Sequence, residues 1–285
     1  MNILIKCIIS MATVACTHKM HNSEYSNTSV IPSKGILLWP NATIPYKIDS
    51  KLTSKLKIEK AMKAWSINSP IKFVKHSAES HYVVFKATKH NVCSSQVGLV
   101  GGRQEILLGK NCGYTNILHE MGHLIGLQHE HNRPDASKHL ELNLEAINPS
   151  YIANFKSWDS ETAYEGMKID LSSQGYGDYD IHSIMHYGNN AFSRCNKNTA
   201  KEFYWENPPK GVACKTMKAL GEDDLKIGMH KQLTRKDRRK VKYLYLLKKD
   251  ELFSFTQETH PYNKQKQAVI DLNNNHLTPP YTINN

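Results

Sequence analysis

The chain contains 285 residues, of which 40% are hydrophobic and 22% are charged. These fractions are ordinary for a soluble globular protein, and this length can form one large or two small domains with a sizeable core. After the first residues no apolar stretch is long enough to cross a bilayer, so we expect a soluble or tethered protein rather than a transmembrane one. The formal net charge of +11 leaves nucleic acid, an anionic surface and acidic substrates open as partners.

Residues 1–15 have the pattern of a secretory signal peptide. Lys6 supplies a positive charge, and a short apolar run then ends in residues small enough for cleavage before Cys16. The Ala15-Cys16 pair also fits the end of a bacterial lipoprotein signal, although Thr13 stands where leucine is usual. We therefore expect export, with the protein either secreted or tethered at the cell surface through a lipid on Cys16. Residues 16–35 are polar, and we expect them to be poorly ordered.

The next part of the chain predicts strands and one amphipathic helix. Ile44–Ile48 is expected to be the first strand, with Pro45 marking it as an edge strand. Lys51–Trp65 is expected to be a helix, because apolar residues recur there at helical spacing. These core residues are Ile58, Ala61, Met62 and Trp65. Further strands are expected at Ile71–Val74, Tyr82–Lys86 and Glu105–Leu108.

The segment from 116 to 135 carries the pattern H-E-x-x-H-x-x-G-x-x-H-E. His119 and His123 are one helical turn apart, so both imidazoles can reach one zinc ion. Gly126 can end the helix in the left-handed conformation, which lets the chain turn back and offer His129 as a third ligand. Three protein ligands leave one coordination position open, as catalytic zinc requires. A metal-free polar surface helix is the alternative, but it does not explain the glycine and the third histidine.

A second motif lies downstream, in the sequence S-I-M-H-Y-G around Met185. Metzincins carry a methionine-containing turn beneath the zinc site. With a tyrosine two residues after that methionine, and with H-E-H-N-R-P-D from His129 to Asp135, the chain resembles the astacin family of metzincins. The resemblance extends from about Ile36 to Leu247 and includes Trp39-Pro40.

The resemblance implies an α+β catalytic domain over 36–250. An upper half of mixed sheet with two long helices would face an irregular lower half that holds the methionine turn and a C-terminal helix. Zinc would lie at the floor of the cleft between them. In this family extended substrates pair with an edge strand beside the site, and we expect that strand within Val97–Leu108.

The resemblance also implies roles for individual residues. The protein would be a zinc endopeptidase with one zinc per chain, acting on protein or peptide substrates. Glu120 would be the general base, and Tyr187 a further zinc ligand at rest that leaves to bind the transition state. Met185 would support the site from below, and Glu130 would anchor the mature N-terminus. We expect the remaining histidines nearby, His131, His182 and His186, to be structural or on the surface.

Four cysteines follow the leader: Cys93, Cys112, Cys195 and Cys214. An even number in an exported chain favours disulfides, and the sequence alone allows three pairings. The astacin resemblance implies Cys93–Cys112, which leaves Cys195–Cys214. The family's bridge between the first helix and the chain end has no cysteines here, so we expect packing to hold the last helix.

The C-terminal part predicts one more long helix. Helix signals at Leu144–Phe155 are followed by loops, and then by the basic run Arg235–Lys249. We interpret that run as the solvated face of a helix with a capping box at Thr234 and Asp237 and with an inward stripe of apolar side chains. The stripe consists of Val241, Leu244 and Tyr245. A nucleic-acid patch is the less favoured interpretation. Residues 251–285 are expected to form a polar, loose tail.

The main alternative function is a zinc-containing adhesion or binding protein that does not cleave. The presence of both Glu120 and Tyr187 argues against it. A basic nucleic-acid binder would leave the histidine motif unexplained. We therefore expect a monomeric peptidase with no nucleic-acid partner.

Overall fold

The computed structural model describes residues 35–196, 207–222, 224–228 and 231–251. The leader, Cys16 and the C-terminal tail after residue 251 lie outside the described residues, so their predicted roles and boundaries stay predictions. The described part of the chain holds no helix that is both long and apolar enough to cross a membrane.

The upper half is built on a five-stranded sheet in which three of the four pairings are parallel. Its strands are β1 (Thr43–Ile48), β2 (Lys72–Lys75), β3 (Tyr82–Ala87), β4 (Cys93–Ser94) and β5 (Arg103–Leu108). The order across the sheet is β2-β1-β3-β5-β4, and only β4 runs antiparallel to its neighbour. The two-residue strand β4 has no sequence period of its own and was not predicted.

The prediction that Pro45 marks an edge strand is wrong, because β1 lies between β2 and β3. Pro45 is tolerated there because pairing with β3 begins only at Tyr46. Pro45 itself is paired only with Val74 of β2. The missing N–H therefore costs no bond to β3.

Two helices pack together on this sheet. They are α1 (Lys55–Ser66) and α2 (Tyr114–Ile125). The Trp65 indole nitrogen of α1 donates to the Leu118 carbonyl of α2 at 3.0 Å, and all four predicted core residues of α1 are buried. Helix α1 starts later than predicted, because Asp49 accepts the backbone N–H of Lys51 at 2.9 Å and forms a turn there.

The lower half is mostly irregular. It contains one two-stranded sheet of β6 (Leu140–Leu142) and β7 (Met217–Ala219). The predicted helix at Leu144–Phe155 is instead two 3₁₀ segments, Leu144–Ala146 and Pro149–Phe155. The Asn148 side chain and Pro149 start a new turn and prevent one continuous α-helix. Other 3₁₀ turns lie at Pro40–Ala42, Glu130–Asn132 and Ala136–Lys138.

The last helix, α3 (Arg235–Glu251), packs beneath both halves. Its capping box is confirmed: Thr234 N donates to the Asp237 carboxylate and Asp237 N donates to the Thr234 hydroxyl, each at 2.9 Å. Val241 and Leu244 are fully buried. The Tyr245 hydroxyl donates to the Ile125 carbonyl at 2.6 Å. Packing and polar contacts thus hold this helix, as expected from the missing cysteines.

Candidate active site

Helix α2 carries the first two histidines, and backbone carbonyls outside the helix fix the orientation of their rings. His119 Nδ1 donates to the Ile184 carbonyl at 2.8 Å, and His123 Nδ1 donates to the Leu127 carbonyl at 2.9 Å. Because a carbonyl can only accept, both Nδ1 atoms carry hydrogen and both Nε2 atoms keep a free lone pair. This is the arrangement in which a second partner sets the tautomer of a metal ligand.

The turn after α2 brings the third histidine back to the first two. Gly126 ends the helix with a φ of 115°, a conformation that strongly favours glycine. The potential ligand atoms of His119, His123 and His129 all lie within 4.8 Å of one another. The Nε2 atoms of His123 and His129 are 3.1 Å apart.

These three residues fit a metal ion by their own chemistry. All three are buried, and burial lowers the pKa of each imidazole, to about 3 for His123. The rings are therefore neutral, and at least two of them direct lone pairs into one small space. Three neutral imidazoles are a familiar ligand set for zinc with an open position.

Glu120 is buried beside this group but does not belong to it. Burial raises the pKa of its carboxyl to about 8, and the hydrogen bond from the Ser95 backbone opposes that shift. A cation held by the neighbouring imidazoles would favour the ionised form. The carboxyl is thus placed to hold and release a proton near neutral pH.

Tyr187 faces the site from the lower half. Its ring centre is 4.5 Å from that of His129, and it stacks on His131 at 4.0 Å. The hydroxyl is buried and has no hydrogen-bond partner among the described residues. Burial raises the pKa of Tyr187, and the charge of Glu120 raises it further. An unsatisfied buried hydroxyl is costly, so the site is poised to hydrogen-bond a ligand.

His131 supports that tyrosine as a structural residue. Its Nε2 donates to the Asn154 carbonyl at 3.2 Å, and its Nδ1 accepts the backbone N–H of Tyr187 at 3.4 Å. His186 is fully buried and pairs with the Tyr179 hydroxyl at 2.7 Å, and burial lowers its pKa to about 4. The metal-binding group among the described residues includes neither of them, nor His182.

The methionine turn lies against the zinc helix. The Glu130 N–H donates to the Met185 carbonyl at 3.0 Å. Met185 itself packs on Gly122, where an added Cβ would lie 2.3 Å from its sulfur. A larger residue at this helical position would therefore have to displace the Met185 side chain. Gly122 was missed from the sequence, although a glycine inside a helix costs about 1 kcal/mol and usually has a reason.

Glu130 is the centre of a buried charge network. Its carboxylate accepts the Asp180 N–H at 2.8 Å and forms ion pairs with Arg133 at 3.3 Å and Lys240 at 2.5 Å. The interpretation of the basic residues of this helix as its solvated face is therefore wrong at Lys240, which is 1% exposed. The predicted contact with the mature N-terminus stays a prediction.

Strands β4 and β5 lie at the edge of the sheet near the site. Strand β4 covers only the last two residues of β5, Leu107 and Leu108, on the side of β5 that faces away from β3. The chain that leaves β4 reaches the Ser95 contact with Glu120. The expected substrate-pairing edge within Val97–Leu108 stays a prediction, and β4, which precedes that range, is the outermost strand at this end of the sheet.

Two disulfides flank these elements. Cys93–Cys112 joins β4 to the residues just before α2, with a Cα–Cα distance of 5.8 Å. Cys195–Cys214 closes a local loop in the lower half, with a Cα–Cα distance of 5.7 Å. The first is the pairing that the family resemblance implied, and the second is the pairing that it left for the other two cysteines.

A helix with two histidines one turn apart, a third histidine beyond a glycine turn and a methionine turn beneath them together define a metzincin-type metalloprotein. Residues 33–246 match the family model described as Astacin (Peptidase family M12A). The chain belongs to this family, and its predicted α+β fold is confirmed. The family is zinc-dependent.

Individual relatives agree with this assignment. The chain is 36% identical over 160 residues to "Tolloid-like protein 2" of Mus musculus, a match that covers 55% of this chain and 15% of that protein. It is 36% identical over 166 residues to "Zinc metalloproteinase nas-6" of Caenorhabditis elegans, covering 57% of this chain and 45% of the relative. The match thus spans less than half of either curated relative.

A solved structure resembles the whole domain. It is the high choriolytic enzyme 1 (HCE-1) of the medaka fish Oryzias latipes, described as a hatching enzyme zinc-protease. The TM-score is 0.59 at 27% sequence identity, and the match covers 75% of this chain and 95% of that one.

Proposed function

We propose that this protein is a zinc-dependent endopeptidase that hydrolyses peptide bonds of protein substrates. The observation that carries the proposal is the convergence of His119, His123 and His129 with a buried Glu120 that is not part of the ligand set. The zinc-peptidase names of nas-6 and of the medaka hatching enzyme support it.

In this proposal the three histidines would hold one zinc per chain, and the metal would supply a Lewis acid. Glu120 takes a proton from the water that attacks the peptide carbonyl and then gives it to the leaving amine. The Tyr187 hydroxyl, which has no described partner, donates a hydrogen bond to the oxyanion in the transition state. Met185 and Glu130 hold the ligand loop, the segment 126–130 that carries His129, without touching substrate.

The substrate would bind as an extended strand along β4. An edge strand offers unpaired backbone groups, which bind peptides by strand addition. The proposal places the protein outside the cell, secreted as a monomer, with lipid attachment at Cys16 as the alternative. Nucleic acid is not among its proposed substrates.

The test compares Glu120→Gln with Glu59→Gln, an exposed control on α1, on a fluorogenic peptide library with and without a zinc chelator. We expect Glu120→Gln to keep about one zinc per chain and to lose about 10²–10⁴-fold in cleavage. The control should match the unmodified protein. A wild-type rate in Glu120→Gln would overturn the mechanism.

A protein that holds zinc and binds peptides but never cleaves them would support the alternative of a binding protein. Two readouts on the same peptides separate the two cases: the gain of fluorescence measures cleavage, and fluorescence polarisation of a labelled peptide measures binding. Replacing the three histidines with alanine should abolish both zinc binding and cleavage, and undiminished zinc in that variant would refute the site.

A further inference from the structure

An open cavity of about 670 Å³ lies between the end of α1 and the outer face of α3. Ile67 and Asn68, just after α1, form one wall. The other wall consists of cationic side chains from the first two turns of α3: Arg235, Arg238, Arg239 and Lys242. No carboxylate lines the cavity, and none of its residues belongs to the candidate active site.

The cations form a stripe rather than a random cluster. Their positions follow i, i+3, i+4 and i+7, which places them on one face of the helix over about 10 Å. Four like charges so close together repel one another unless a counter-ion is present. The stripe is therefore an energetic cost in the free protein and a source of attraction for an anion.

The acidic groups of the described chain do not neutralise this stripe. Asp237 lies in the same helical turn, but its carboxylate faces inward and accepts hydrogen bonds from Ser183 Oγ at 2.5 Å and from Ile184 N at 3.2 Å. No described carboxylate forms an ion pair with any of the four cations. Arg133 and Lys240, in contrast, are both paired with Glu130.

Two of the guanidinium groups are held in place. Arg238 Nη1 donates to the Leu233 carbonyl at 2.9 Å and to the Thr234 carbonyl at 3.3 Å, whereas its buried Nε has no partner among the described residues. Arg239 Nε donates to the Gly175 carbonyl at 3.4 Å. Fixed guanidinium groups lose little conformational entropy when they bind an oxyanion.

We propose that this stripe is a binding site for sulfate groups of an anionic polysaccharide. Guanidinium groups match the planar, bidentate geometry of oxyanions, and a linear stripe matches a chain with charges at repeated intervals. The cavity has no aromatic lining, so it lacks the stacking surface with which single-stranded nucleic acids are bound. The site goes beyond the proposed peptidase function and would retain the enzyme on a sulfated matrix.

The test measures binding to immobilised heparin over a range of salt concentrations. The variant carries Arg235→Gln, Arg239→Gln and Lys242→Gln, and it keeps Arg238 because that residue supports the start of α3. The control carries Lys57→Gln, Lys72→Gln and Lys75→Gln, which removes the same charge from exposed positions elsewhere. We expect the stripe variant to lose at least about 10-fold in affinity and to show a shallower salt dependence, and the control to lose less than about 3-fold.

Three outcomes would overturn the proposal. Equal losses in both variants would mean that only the overall charge matters. If desulfated heparin bound as tightly as heparin, the site would not recognise sulfate. If duplex DNA or phosphatidylserine vesicles bound more tightly than heparin, the partner would be another kind of anion. Arg235→Gln alone, at an exposed residue, provides a second variant if the triple variant fails to fold, and it should still weaken heparin binding. Cleavage of a short peptide should be unchanged, so failure here is distinguishable from failure of the peptidase proposal.

Discussion

The ammonium of Lys240 lies 2.5 Å from the carboxylate of Glu130, although 110 positions separate the two residues and each side chain is only 2% exposed. The contact joins the last helix to the residue that follows the third histidine. Because Glu130 N also holds the Met185 carbonyl, the ion pair ties α3, the ligand loop and the methionine turn together.

Lys240→Met should destabilise the protein strongly. Removing one partner of a buried ion pair leaves the other charge uncompensated, at a cost of about 3–5 kcal/mol. We expect the lower end of this range, because Arg133 still faces Glu130. Urea unfolding measures the change, with Lys57→Met as the exposed control and Lys240→Arg as the variant that keeps the charge. A loss below about 1 kcal/mol would fit a surface pair instead.

Tyr187→Phe should slow cleavage without releasing zinc. It removes one hydrogen bond made in the transition state, which is worth about 10²-fold, mainly in kcat. The phenyl ring keeps the stacking on His131, so the melting temperature should change little. Steady-state kinetics on one peptide give the answer, with Tyr151→Phe as the control. A change in KM alone would make Tyr187 a substrate-binding residue.

The two disulfides offer a matched comparison, because each has a sequence separation of 19. In the chain-entropy model, removing either pair with alanine should cost about 3 kcal/mol. Only loss of Cys93–Cys112 should also raise KM, because that bridge holds β4 beside α2. Unfolding curves and peptide kinetics on both double variants test this prediction. Equal KM values in the two variants would contradict the proposal that substrate binds along β4.

Stability should fall above pH 10. The Tyr164 hydroxyl donates to the Gly126 carbonyl at 2.8 Å, and the Tyr245 hydroxyl to the Ile125 carbonyl at 2.6 Å. Burial raises the pKa of both residues above the ordinary value. The unfolded chain releases these protons near pH 10 while the folded chain retains them, so each group contributes stability below pH 10 that is lost at about 1.4 kcal/mol per pH unit above it.

Urea unfolding between pH 9 and 11 measures that decline. Tyr245→Phe removes one of the titrating groups and should flatten the slope, whereas Tyr151→Phe, a tyrosine with no resolved shift, should leave it unchanged. A steeper decline in Tyr245→Phe would contradict the assignment.

The metal-binding group could be predicted because its geometry is local. The i, i+4 spacing of His119 and His123 fixes their separation on any helix, and Gly126 determines how the chain turns back. The edges of the sheet could not be predicted in the same way. The neighbours of β1 and the pairing of β4 depend on strands far along the chain, and a two-residue strand has no period.

Lys240 shows the limit of classifying a segment by composition. Charge density predicts a solvated helix face, yet helical spacing places Lys240 on the same face as Asp237, Val241 and Leu244, all of which are fully buried. The helical spacing of Lys240 thus predicts a buried position, whereas the basic composition of the segment predicts a solvated one. Its partner, Glu130, could not be found from the sequence, since the two residues are 110 positions apart.

The distance in sequence between Glu130 and Lys240 also sets an order of events during synthesis. A ribosome completes the three histidines more than a hundred residues before it reaches Lys240, as the separation of 110 requires. The nascent chain therefore carries the whole zinc motif while the lysine partner of Glu130 does not yet exist. The ion pair between Glu130 and Lys240 can therefore form only after the last helix has been synthesised, and not when the histidine motif has just been translated.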